Sequence, residues 1–142
     1  IKNFKGVKIF DDYGHHPEEI KATLAAAREI SSNKVIAVVQ PHRYSRLKML
    51  FEEFTSAFND ADTIFITDIY AAGESIPEDM SNEILINSLI SAGHKDPKPY
   101  DSKELKRIVE NNLQEGDIVV FLGAGDITNK AKLFVNEYLE GQ

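Results

Sequence analysis

The chain of 142 residues contains no cysteine. That excludes disulfides and thiolate chemistry and removes the commonest structural zinc ligand, while fitting reducing and oxidising compartments equally well. Long apolar runs are missing too: none approaches the ~20 residues that cross a bilayer, and no basic leader runs into a small-residue cleavage site, so the cytoplasm is the expected location. Positive charge is scarce, with 16 Lys and Arg against 23 Asp and Glu and a formal net charge of -7. A free-standing nucleic-acid binder needs the opposite balance to neutralise phosphates, so neither nucleic acid nor membrane is expected as a partner. Three motifs are absent as well. Without G-x-x-x-x-G-K-[ST] the chain has no phosphate-binding P-loop, and without a nucleophile elbow or an assignable triad it offers no catalytic residue of its own. Nor does G-x-G-x-x-G follow the first apolar run. The first residue is Ile1 rather than methionine, which suggests a piece of a longer protein.

What is present is an ordinary globular composition, 42% hydrophobic and 27% charged, enough for one domain over residues 1–142. VKIFD (7–11) reads as a strand. Pro17 suits the first position of a helix, in which Ile20, Leu24, Ala27 and Ile30 recur at helical period. VIAVV (35–39) is a continuous β-branched run, the pattern of a strand covered on both faces. Leu47, Leu50, Phe51, Phe54 and Phe58 mark one face of a second helix, and TIFITDI (63–69) reads as the next strand. A helix near 82–92, a short strand around 98–100 and a helix over about 103–112 follow. DIVVFLGAGDI then carries a buried strand into glycines, and Ala131, Phe134, Val135 and Tyr138 share one face of a closing helix. This alternation predicts an α/β fold, a Rossmann-like and mostly parallel sheet flanked by helices on both faces.

In such folds ligands bind outside the carboxyl ends of the strands. DDYGHHP, QPHRYSR, TDIYAAGES and GAGD each follow an apolar run, so the fold should collect all four on one rim. Asp12, Tyr13, His15 and His16 offer a carboxylate, an aromatic face and two imidazoles. A carboxylate at a strand end can take ribose hydroxyls, although Asp11 or Asp12 can equally cap the helix and one histidine can be purely structural. Neighbouring histidines point apart, and a zinc site would need His42 or a further carboxylate to converge, so no metal ligand is assigned. Arg43 and Arg46, three apart at a helix start, place two guanidinium forks on one side, against the helix dipole. An anion would resolve that conflict; salt bridges to Glu52 or Glu53 are the plainer alternative. Gly123, Gly125 and Asp126 can present backbone N–H groups to an anion or simply make a tight strand-to-helix turn. Gly73, Glu74 and Ser75 form a weaker candidate. On chemistry alone the rim binds a nucleotide and a small anion, and it looks like half a site.

DDYGHHPEEI, QPHRYSR and FLGAGDI, in this order and separated by βα units, resemble the C-terminal domain of the Mur ligase family over essentially the whole chain. The D-Y-x-H-x-P theme marks the wider family, while QPHRYSR with GAGDI resembles its alanine-adding branch. The resemblance implies an ATP-dependent ligation in peptidoglycan synthesis, in which the carboxylate of UDP-N-acetylmuramate becomes an acyl phosphate and is attacked by the amine of L-alanine. It also implies an N-terminal domain that holds the UDP-sugar and a central domain that supplies the P-loop and most contacts to Mg2+. By resemblance, Asp12 contacts the ATP ribose and Tyr13 and His15 border the nucleotide. His16 faces the reaction centre or supports its loop. Arg43 and Arg46 bind the amino-acid carboxylate with His42 beside them, and Gly123, Gly125 and Asp126 shape the amino-acid pocket. A chain lacking the other two domains should not catalyse ligation alone.

Two other classes compete. A free-standing nucleotide-binding or oxidoreductase domain needs a glycine fingerprint where DDYGHHP stands. A non-catalytic protein-interaction domain would show an exposed apolar patch and arginines indifferent to ligand.

Overall fold

The computed structural model describes residues 2–4, 7–12, 16–40, 51–66, 82–94, 97–99, 113–123 and 132. Among these residues nine elements run in the order β1 (Lys2–Phe4), β2 (Val7–Asp12), α1 (Pro17–Ile30), β3 (Val35–Val39), α2 (Phe51–Ser56), β4 (Thr63–Ile66), α3 (Asn82–Ser91), β5 (Pro97–Pro99) and β6 (Ile118–Leu122). The strands form one six-stranded sheet in the order β1-β2-β6-β3-β4-β5. Only β1 is antiparallel, and β2, β6, β3, β4 and β5 run parallel. The parallel α/β sheet expected from the alternation of patterns is therefore present.

Every residue of β3 and of β6 is buried, which is why both read as unbroken apolar runs rather than as alternating ones. Their side chains alternate between two faces. Val35, Ala37, Val39, Ile118, Val120 and Leu122 join Ile64 and Ile66 in a core shared with Ile20, Leu24 and Ala27 of α1, Phe54 of α2, Phe58 just beyond it, and Leu85 and Leu89 of α3. Ile36, Val38, Phe65, Val119 and Phe121 are as fully buried on the opposite face. Topology accounts for the sidedness. The chain advances from β2 to β3 to β4 to β5 in one direction across the sheet, so right-handed crossovers put α1, α2 and α3 on one face. The return from β5 to β6 reverses direction, which calls for cover on the other face; the helices expected over 103–112 and 131–138 lie outside the described residues, apart from helical Lys132.

Local expectations hold with informative exceptions. Ile20, Leu24 and Ala27 form the buried stripe of α1, but Ile30, placed on that stripe by its spacing, is 52% exposed, because the helix ends there and Ser31 N–H bonds back to the Ala27 carbonyl at 3.0 Å. The edge strand β1 is an addition, since a three-residue strand carries too little pattern to be read. Its pairing Phe4↔Val7 leaves two residues, Lys5 and Gly6, for the connection, a common hairpin length. At the other edge β5 reads Pro-Lys-Pro, tolerable only where no further strand needs the missing N–H groups. Helix α3 stops at Gly93 (φ 99°), with His94 N–H on Leu89 O at 3.1 Å and Gly93 N–H on Ile90 O at 3.0 Å, a Schellman termination in which glycine tolerates the left-handed backbone.

Candidate functional site

The register of the parallel strands defines a single row across the sheet. Asp12 pairs with Leu122, Leu122 with Val39, Val39 with Ile66 and Ile66 with Pro99. These residues stand at or beside the carboxyl ends of their strands, so DDYGHHP, QPHRYSR, TDIYAAGES and GAGD all depart from one level. Adjacent strands are about 4.8 Å apart, which puts the Asp12 and Val39 backbones roughly 10 Å from each other with β6 between them. The expected rim therefore exists, and its centre is the β2-β6-β3 triplet.

Three sequence-derived candidates fall within the described residues. Asp12 is the last residue of β2 and lies in that row. Gly123 is buried and follows β6 immediately. His16 is the N-cap of α1, with extended backbone (φ -81°, ψ 142°) and Pro17 behind it at the first helical position. Its Nδ1 accepts the Glu18 N–H at 3.3 Å, while its carbonyl accepts the Ile20 N–H at 3.0 Å. An Nδ1 that accepts this bond is the unprotonated nitrogen of the ring. The helix is thus capped by His16, and Asp11 and Asp12 belong to the strand. Tyr13, His15, His42, Arg43, Arg46, Gly125, Asp126 and the segment around Gly73, Glu74 and Ser75 lie outside the described residues. The alternative partners suggested for the arginines, Glu52 and Glu53, are both exposed on α2, and the Arg28–Asp62 pair is the one salt bridge among the described residues.

Gln40 was missed by the sequence reading. It is 5% exposed, one of two buried polar or charged side chains in the described residues, the other being Asp117. Its backbone N–H donates to Leu122 O at 2.9 Å, extending the β3–β6 ladder past the last strand residue. Its side-chain oxygen Oε1 is sealed from solvent without a hydrogen-bond partner, a condition that costs about 1–3 kcal/mol in a folded protein. The signal available in sequence was an amide directly after five apolar strand residues, which was absorbed into the arginine motif next to it.

A shallow cleft of about 190 Å³ opens beside this edge, between the first turn of α1 and α2, lined by Pro17, Glu18, Lys21, Glu53, Ser56 and Ala57. Among the described residues no group of three His, Asp or Glu side chains is arranged to hold a metal ion, and no helix is long and apolar enough to cross a membrane.

A parallel sheet whose strand ends and capped helix converge on one rim defines an α/β domain with its polar segments gathered at one edge. Comparison with known proteins specifies it further. The family model described as "Mur ligase, glutamate ligase domain" matches residues 1–125, and the chain belongs to this family. A UDP-N-acetylmuramate–L-alanine ligase from Chelativorans is 54% identical over 129 residues, covering 90% of this chain and 28% of the relative. The crystal structure of the UDP-N-acetylmuramate-alanine ligase from Thermotoga maritima superimposes with a TM-score of 0.74 at 28% identity, over 97% of this chain and 28% of that one. A murein peptide ligase from Psychrobacter arcticus shares the fold at TM-score 0.76 and 16% identity, again over 97% of this chain and 28% of its own. The chain thus spans little more than a quarter of the length of the proteins it matches.

Proposed function

We propose that this chain is the C-terminal, closing domain of an ATP-dependent ligase that joins L-alanine to UDP-N-acetylmuramate through an acyl phosphate. The observation that carries the reading is the row Asp12–Leu122–Val39, which brings the starts of the nucleotide, arginine and glycine motifs to one edge. High identity to alanine-adding ligases over 90% of the chain supports the choice of amino acid. ATP, when bound, supplies the phosphoryl group that activates the muramate carboxylate. The residues present fit the nucleotide: a carboxylate at the end of a parallel strand, as at Asp12, is where ribose hydroxyls are taken in such sheets, while His16 faces the reaction centre or supports its loop. Tyr13 and His15 border the same nucleotide in this reading. Arg43 and Arg46, with His42, hold the carboxylate of L-alanine, and Gly123, Gly125 and Asp126 close the pocket around it. Mg2+ and the phosphate loop belong to the central domain, the UDP-sugar to the N-terminal one, and the cytoplasm is the compartment that supplies all three substrates. Isolated, the chain binds ATP weakly and does not ligate.

The test uses the complete ligase. Phosphate release should depend on ATP, UDP-N-acetylmuramate and L-alanine together. Replacing Arg43 or Arg46 with alanine should raise the KM for L-alanine about ten- to hundredfold, the worth of a charge-assisted hydrogen bond, and leave the KM for ATP within about twofold. Unchanged use of L-alanine in both variants would reject the arginine assignment, and turnover without L-alanine would reject the ligase reading.

A further inference from the structure

We draw no further inference here: the strongest candidate, the shallow cleft between the first turn of α1 and α2 lined by Pro17, Glu18, Lys21, Glu53, Ser56 and Ala57, carries exposed charges of both signs on its rim, and nothing in the structure shows what covers it.

Discussion

The two edges of this sheet are built from the same strands and treated in opposite ways. At the amino edge polar groups hold neighbouring segments together. Asp117 ties the chain before β3 to the chain before β6, Lys8 N–H donates to its carbonyl at 3.0 Å, and Ile118 N–H to that of Lys34 at 2.9 Å. Arg28 reaches from α1 to the carbonyls of Asn33 and Asp60 and to the Asp62 carboxylate. Ser31 Oγ donates to Gly116 O at 3.2 Å, and Gly116 has φ 93°, a left-handed backbone that strains any residue with a Cβ. At the carboxyl edge the described groups are a capping histidine, a strand-end aspartate and a buried amide with an empty acceptor. The closed edge is tied together by its own polar groups; at the open edge Gln40 Oε1 has no partner.

The comparison breaks most visibly at Asp117. Asp117→Ala strips the Lys34 and Gln114 N–H groups of a charged acceptor inside the protein, and each orphaned donor costs its desolvation. The expected loss is about 3 kcal/mol, or a fall of roughly 10 °C in melting temperature for a domain of this size. Thermal unfolding of the chain measures it. Gln40→Met at the other end removes an acceptor that has no partner and should cost less than about 1 kcal/mol, and a similar fall for both would erase the distinction between the edges.

Much of this was legible because burial writes itself into sequence. VIAVV and IVVFL are apolar on both faces and could only be central strands, and Pro17 and Ile20 fixed the start and buried side of α1. The convergence of motifs at one rim was legible for the same reason, since the end of an apolar run is also the end of a strand. What stayed hidden depended on partners distant in sequence. Asp117 sits 83 residues from Lys34, so nothing local marks it as the keystone of the closed edge. Gln40 looked like part of a motif, and only its lack of a partner, a property of the folded interior, sets it apart. His16 was read as a ligand or loop residue, yet capping by a histidine Nδ1 is uncommon enough that Ser, Thr, Asp and Asn are the usual signals.

His16 carries the next largest effect and sharpens the comparison from the open side. His16→Ala removes the acceptor for Glu18 N–H and should cost about 0.5–1 kcal/mol, while His16→Asn, which can cap with its own side-chain oxygen, should be close to neutral in chemical denaturation. If the ring also faces the reaction centre, the asparagine variant keeps its stability and loses turnover in the complete ligase. Wild-type turnover in His16→Asn would leave His16 a structural cap alone.

The smallest effect lies at the closed edge and depends on pH. Partial burial pushes the Asp62 carboxyl up, but the Val35 N–H at 2.8 Å, the hydrogen bond from Arg28 and the charges of Arg28 and Lys34 outweigh it and hold Asp62 below its ordinary value of 3.8. A carboxyl whose folded pKa is depressed binds its proton more readily when unfolded. Its contribution is therefore complete above the unfolded pKa, near 4, and is lost as the pH falls through the lower folded value. Both side chains of the pair are more than a third exposed, at 37% and 43%, so screening keeps the contribution under about 1 kcal/mol. Asp62→Asn retains an oxygen for the Val35 N–H and removes the charge. The difference in stability between wild type and this variant, followed by denaturation from pH 6 to pH 3, should be largest at the upper end and shrink toward the lower, and 1 M salt should reduce it at pH 6. A difference that stayed constant across that range would mean that the ion pair adds nothing, and that the hydrogen bond to Val35 accounts for all that Asp62 gives to the closed edge.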